Sequence, residues 1–367
     1  MGKVVKPKQM KKQGSKKSVK SDARLKALVD KINKEFGHNT VTLGVEELEK
    51  SYNQVYIPTG ILQLDADLGG GVPVGRYIEV SGRESSTKTT LTLNIIGQAQ
   101  RMGYLCSFVD IEGTSKNIDY LEACGVDHRN LIYDNPASLE EAARLVNYYQ
   151  REGSIKVCGY DGIAASMVTE MEMDNKKQIG EPKQMGTPQK ILQDMLLRFQ
   201  MANNKFFRLG ETPFTLISTN QIREKPTAYG DPEYTPGGRG KDFVSSVNIR
   251  LRQGDWIREG QSIVGQVVKY KISKNKLYKR MRAGEIDFYF DDNNAGVEPL
   301  HYDVMKDIVI TAIGNNIIEQ GGAWYSFGDV RVQGAKNMIE AVREDEDLQA
   351  RIREEVMEIV SKTRVGK

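Results

Sequence analysis

Histidine and cysteine are scarce in this chain, three of each among 367 residues, and their placement excludes much chemistry. His38, His128 and His301 are scattered, without metal-ligand spacing. Cys106, Cys124 and Cys158 are odd in number and lie in apolar contexts, so they read as buried thiols of a reducing compartment, not as a disulfide framework or a metal site. No run of 18 apolar residues occurs, which excludes a membrane-spanning helix. The basic N-terminus lacks an apolar stretch behind it, so it is not a secretory signal. There is no internal repeat.

What remains has the balance of a globular protein, 28% charged and 39% apolar, with enough length for a large core. The net charge of +3 conceals an asymmetry: residues 1–20 hold eight lysines and no acid, leaving −5 for the rest. Residues 1–22 therefore read as a solvated basic tail with an affinity for phosphates. Behind it, Leu25, Leu28, Val29, Ile32 and Phe36 recur at helical spacing up to Gly37, and Val41-Thr-Leu43 reads as a short strand. This arm, residues 23–56, cannot bury both its helix face and its strand edge alone and is expected to dock elsewhere, on a partner subunit or on its own core.

From residue 57 to about 291, strand-like and helix-like segments alternate. Strands are predicted at 77–81, 105–109, 130–133, 155–160 and 213–219, and helices at 88–102, 115–123, 138–151 and 187–204. That alternation predicts an α/β fold, a mostly parallel twisted sheet with helices on both faces. Period-two stretches at Val247/Ile249/Leu251, Val268/Tyr270/Ile272 and Ile286/Phe288/Phe290 predict an antiparallel extension of the same sheet. Residues 292–367 return to helices (302–313, 334–345, 347–361) around Gly321–Gly328 and read as a small α+β C-terminal domain. Two polar stretches rich in Gly or Pro, 172–186 and 223–240, read as long functional loops on the ligand side of the sheet.

Gly82-Arg-Glu-Ser-Ser-Thr-Lys-Thr-Thr90 nearly fits the phosphate-loop pattern G-x-x-x-x-G-K-[ST]. Tyr77-Ile-Glu-Val80 supplies the strand before it and Leu91, Leu93, Ile95 and Ile96 the helix after it. Such a unit aims backbone N–H groups and a helix N-terminus at a polyphosphate. The candidate phosphate ligands are Gly82, Glu84, Ser85, Ser86, Thr87, Lys88, Thr89 and Thr90, with Lys88 on the β/γ-phosphates and the Thr89 hydroxyl on Mg²⁺. Thr87 stands where the pattern has its second glycine. If that position needs a positive φ, a β-branched residue costs about 1–2 kcal/mol; if it is helical, threonine merely narrows the pocket. Asp161, ending Val157-Cys-Gly-Tyr-Asp161, is the second candidate for the metal. Glu112, in Phe108-Val-Asp-Ile-Glu112, is the candidate for polarising the attacking water. Gln221, ending Thr215-Leu-Ile-Ser-Thr-Asn-Gln221, can sense a γ-phosphate where the second loop begins.

Taken together, these segments resemble the bacterial RecA recombinases over about residues 23–361. The carrying motifs are Thr59-Gly-Ile-Leu-Gln-Leu-Asp65 through Gly75-Arg76, Glu84-Ser-Ser-x-Lys-Thr-Thr90, Asp110-x-Glu112, Asn220-Gln-Ile-Arg223, Gly237-Gly238, Lys274-Asn-Lys276 and Gly322-Ala-Trp-Tyr-Ser326. The resemblance implies a RecA-type ATPase core that uses ATP and Mg²⁺, forms a helical homo-oligomeric filament on single-stranded DNA, and pairs it with duplex DNA for strand exchange. That activity serves recombination, DNA repair and the SOS response to damage in the cytoplasm, at the nucleoid. It makes Glu112 the catalytic glutamate, Gln221 the γ-phosphate sensor and Tyr120 the adenine-stacking ring. Lys274 and Lys276 become cations reaching the neighbouring subunit's ATP. Leu28, Ile32, Phe36 and Phe243 become interface residues. DNA contacts fall to Lys176, Lys177, Lys183, Met185 and Gly186 in the first loop and to Arg223, Lys225, Tyr229, Gly237, Gly238 and Arg239 in the second.

Departures from the family pattern are Thr87 for glycine, a different adenine side around Lys116, a longer first loop, Asp242 beside Phe243 and basic sequence at both ends. Such divergence suits a recombinase encoded by a phage or mobile element and acting in its host. Two other readings compete: a ring-forming DNA motor such as a helicase, and an ATP-binding DNA coat with little hydrolysis.

Overall fold

The computed structural model describes residues 23–37, 41–44, 54–166, 187–224 and 233–365. Residues up to 53 and from 54 onward form two separate units. In the first, Ala23–Phe36 is a helix with none of its residues buried. Asn33 ties it to the segment behind it, its amide donating to the Val41 carbonyl (2.8 Å) and accepting from the Val41 N–H (2.9 Å). The strand expected at 41–43 does not form: those residues are irregular.

The second unit is organised by a nine-stranded sheet. Its spatial order is His301–Tyr302, Ala283–Tyr289, Ser262–Asn275, Val247–Glu259, Tyr77–Gly82, Thr215–Gln221, Ile155–Asp161, Leu105–Asp110, Leu131–Asp134. Pairing is parallel from Val247–Glu259 through Leu131–Asp134 and antiparallel on the other side, matching the predicted mixed sheet. Tyr77–Gly82 lies in the middle and all six of its residues are buried, so it reads as a continuous run without alternation.

Local chemistry sets the helices. Ser138 accepts from the Glu141 N–H while the Glu141 carboxylate accepts from the Ala137 N–H (2.8 Å), starting Leu139–Glu152; Gly153 at φ +87° ends it. Gly159 interrupts an otherwise apolar strand for a steric reason. A Cβ there would lie 2.6 Å from Phe108 and 2.7 Å from Ile96, so glycine lets the helix Lys88–Arg101 pack close to the sheet.

Beyond the sheet, helices Val304–Gly314, Ala335–Glu344 and Glu346–Val365 surround a three-stranded antiparallel sheet, Glu319–Gly321, Trp324–Phe327 and Val330–Gln333. Their apolar cluster includes Ile308, Phe327, Met338 and Ile352, and also Leu62 from the short helix Leu62–Leu68. That helix has no side-chain cap of its own at Ile61. Asp307 serves instead, accepting from the N–H groups of Leu62 (2.6 Å) and Gln63 (3.3 Å) across more than 240 residues of chain.

The described parts of stretch 223–240, residues 223–224 and 233–240, hold more regular structure than expected of a loop. Arg223–Glu224 and Glu233–Tyr234 pair as a small hairpin, and Gly238–Val244 is a helix. The other expected loop, 172–186, lies outside the described residues.

Candidate nucleotide site and its neighbouring loops

Sheet register brings the site together. Gly82 pairs with Gln221 and Asp110 with Asp161, so the strand ends carrying the loop, the amide and the acids finish side by side. They open into a cavity of about 500 Å³ lined by Glu84, Lys88, Glu112, Tyr120, Asp161 and Gln221, among others. A larger groove of about 830 Å³ runs between Leu139–Glu152 and Thr187–Leu209, but it holds none of the strand-end acids.

Within the loop, Lys88 donates to the Arg83 carbonyl (2.7 Å) and Ser86 to the same carbonyl (2.7 Å). Burial pulls the Lys88 pKa down, opposed by the carboxylates of Asp161, Glu112 and Glu84. Gly82 is required where it stands, since a Cβ would fall 2.2 Å from the Ser86 hydroxyl. Thr87 is left-handed at φ +61°, ψ 25°, and so is Ser85 at φ +57°. Of the two alternatives for Thr87, the positive φ is the one realised.

Thr89 donates to the Asp161 carboxylate (2.7 Å), and Thr219 donates to the same group from the next strand. Burial raises the Asp161 pKa, and these two hydroxyls and Lys88 oppose it. Glu112 stands over Gly162, where any Cβ would come within 2.8 Å of its Oε1. Partial burial raises its pKa, Asp161 adds to the effect, and Lys88 counters it. Asp110 turns away into the fold: it accepts from the N–H groups of Gly113 (2.7 Å) and Ser115 (2.9 Å) and from the Tyr133 hydroxyl (2.5 Å). Asp110 therefore shapes the turn that presents Glu112. Tyr120 shares a hydroxyl contact with Thr90 (2.9 Å) at the cavity wall.

The antiparallel extension supplies walls that sequence reasoning missed. Trp256, Phe288, Phe290 and Leu300 line the cavity, with the Trp256 and Phe290 rings edge to face at 6.3 Å. Gln266 donates to the Ser85 carbonyl (2.9 Å). The only sequence signal for this wall was aromatic residues on the predicted antiparallel strands.

Other predicted residues lie elsewhere. Lys274 and Lys276 donate to the carbonyls of Asp242 and Phe243, the latter at 2.8 Å. Phe243 itself is 83% exposed. Leu28 and Phe36 are exposed and Ile32 half-buried on their helix. Gly237, at φ +106°, caps the helix that begins with Gly238 (φ +75°), and Arg223 and Arg239 are exposed. Lys176, Lys177, Lys183, Met185, Gly186, Lys225 and Tyr229 lie outside the described residues.

Two ion clusters were not anticipated. Arg83, in the phosphate loop, pairs with Glu224 and approaches Glu233 (3.8 Å), which also meets Arg252 (2.5 Å), so the loop touches both strands of the small hairpin. Lys241 is buried against Glu79 (2.8 Å), the two side chains being 1% and 2% exposed.

The chain matches the family models described as RecA N-terminal domain, over residues 23–295, and RecA C-terminal domain, over residues 306–361. It is 36% identical to Protein RecA of Thermus thermophilus over 331 residues, 89% of this chain and 91% of that one. Protein RecA of Thermus aquaticus is 36% identical over 335 residues, covering 90% and 92%. Protein RecA of Clostridium acetobutylicum is 33% identical over 336 residues, 90% of each.

Proposed function

This chain belongs to the RecA family, and from that membership and the site geometry we infer how it works. It is a DNA-dependent ATPase and recombinase that uses ATP with Mg²⁺, forms a helical filament on single-stranded DNA and pairs it with duplex DNA. The observation that carries the site assignment is the convergence of Lys88, Glu112, Asp161 and Gln221 on one cavity at the sheet's strand ends.

In this reading the loop N–H groups and Lys88 hold the β/γ-phosphates. A hydroxyl and a carboxylate already in contact, Thr89 and Asp161, form a hard oxygen pair that fits Mg²⁺ and would hold it together with the phosphates. When bound, the metal neutralises charge developing on the transferred phosphoryl group. Glu112 orients and polarises the attacking water; its raised pKa suits a group taking a share of that proton. Gln221 lines the cavity two residues before the hairpin of Arg223–Glu224 and Glu233–Tyr234, so it is placed to link the γ-phosphate with the second loop. Lys274 and Lys276, beside the exposed Phe243, are the cations offered to a neighbour's nucleotide across a subunit contact. The exposed apolar face of Ala23–Phe36 serves the same assembly.

The DNA contacts are assigned to the two loops, with Arg223 and Arg239 as phosphate partners and Gly237-Gly238 allowing close backbone approach. Residues 1–22 act as an auxiliary basic tail, 23–56 as the polymerisation arm, 57–291 as the ATPase core and 292–367 as the C-terminal domain. The work takes place in the cytoplasm, at the nucleoid, and in a host's cytoplasm if the chain is phage-encoded. No helix among the described residues is long and apolar enough to cross a membrane.

The test is ATP hydrolysis with and without single-stranded DNA at low salt, with electron microscopy of the same mixtures. DNA-stimulated turnover and helical filaments are expected. Rings would favour a motor, and a coat without turnover would favour a DNA-covering protein.

A further inference from the structure

Thr87 holds a left-handed conformation that a glycine would adopt freely, and the structure contains a device that holds it there. The Tyr302 phenol donates to the Thr87 hydroxyl (2.9 Å), and that hydroxyl donates onward to the Ser86 carbonyl (2.7 Å). The same phenol lies 3.4 Å from the Thr87 carbonyl, which accepts the Leu91 N–H (2.9 Å) as the helix begins. Tyr302 is 4% exposed and its ring is fixed against Phe288 at 5.1 Å. The relay needs the side-chain hydroxyl at 87 and the phenol at 302; a glycine at 87 would leave the phenol only the longer contact to the backbone carbonyl (3.4 Å).

We propose that Tyr302 is a positioning residue for nucleotide binding, which holds Thr87 in its left-handed turn and thereby keeps the loop in its phosphate-receiving shape. The proposal rests on reading this loop as the ATP site. Its logic is substitution of one restraint by another: where glycine needs none, the strained threonine is held by a hydrogen bond from a distant strand. One hydrogen bond of this kind is worth a few-fold to about tenfold in an equilibrium. Burial raises the Tyr302 pKa, so the phenol stays protonated and can donate throughout the neutral range.

Four full-length proteins test it: the parent, Tyr302→Phe, Thr87→Gly and the double variant. Phenylalanine keeps the ring packing on Phe288 and removes only the hydroxyl, and thermal unfolding checks that each protein is folded. In the parent background, Tyr302→Phe is expected to raise the half-saturating ATP concentration about three- to tenfold while kcat falls less than about twofold. In the Thr87→Gly background the same change is expected to shift it less than about 1.5-fold, because the partner hydroxyl is gone and only the longer, weaker carbonyl contact (3.4 Å) remains. Equal shifts in both backgrounds would reduce Tyr302 to a packing role and overturn the proposal, and so would no shift in the parent. Hydrogen exchange of the peptide spanning 83–90, measured without nucleotide, gives a readout independent of ATP. It is expected to speed up in Tyr302→Phe but to be the same in Thr87→Gly and the double variant. If the parent bound no ATP yet exchange followed that pattern, the nucleotide reading would fall and the restraint would stand.

Discussion

Replacing Lys241 with methionine should be among the most damaging single changes available outside the nucleotide cavity. The Lys241 ammonium sits 2.8 Å from Glu79, 3.0 Å from Asp242 and 2.6 Å from the Thr235 hydroxyl, with only 1% of its side chain exposed. At an effective dielectric of about 20, the Glu79 attraction alone amounts to roughly 6 kcal/mol, set against a desolvation penalty of several kcal/mol for each ion. Removing the cation leaves Glu79 in the middle of the sheet with, among the described residues, Asn220 (3.3 Å) and Thr235 (3.2 Å) as donors. The expected loss is about 3–5 kcal/mol. Urea unfolding at fixed protein concentration should therefore show a midpoint lowered by about 1 M at pH 7, for a slope of about 3 kcal/mol per M. Glu79→Leu added to Lys241→Met should recover most of that loss. A loss under about 1 kcal/mol at pH 7, or no recovery in the double variant, would refute the reasoning.

Lys88→Ala should abolish turnover, whereas Glu112→Ala should still bind ATP but fail to hydrolyse it; equilibrium binding and phosphate release separate the two, and parental turnover by Glu112→Ala would remove it from the water's side. Burial raises Asp65 to about 7 and Asp307 to about 6, so the folded state binds their protons more tightly than the unfolded chain does. Their contribution to stability is consequently full below about pH 4 and is lost as pH rises through 6 to 7. Asp65→Asn, which keeps an oxygen to accept the Thr59 N–H (2.7 Å), should flatten the dependence of unfolding free energy on pH in that window. Deleting residues 1–20 should weaken duplex binding and reduce the steepness of its salt dependence, as fewer counterions are released; an unchanged slope would mean that the tail does not touch DNA.

The sheet was legible because its strands are short apolar runs set between periodic helices, and five parallel strands and their helices fall within a few residues of their predicted positions. The loop, Glu112, Asp161 and Gln221 were legible for a related reason: chemistry at strand ends is marked by a polar residue following an apolar run. Contacts made across hundreds of residues carry no such mark. Nothing in the sequence around Lys241 tells that Glu79 lies beneath it. Gln266 reaches the loop from the antiparallel extension, where only the alternation of the strands was readable, and Tyr302 reaches it from the two-residue strand His301–Tyr302, where a helix starting at 302 was expected. The strand expected at Val41-Thr-Leu43 fails for the converse reason, since its residues favour extended backbone but that preference alone does not set a strand, and the segment is irregular.

The carboxylate that Asp307 lends to the start of Leu62–Leu68 has a consequence for chimeras. The segment matching the RecA C-terminal domain begins at residue 306, so a graft exchanging that segment for a relative's also exchanges the cap of a helix near the other end of the chain. A donor with an acid in this register would be accepted. One lacking it would leave two N–H groups of the recipient without their acceptor, and the defect would surface some 245 residues upstream of the splice.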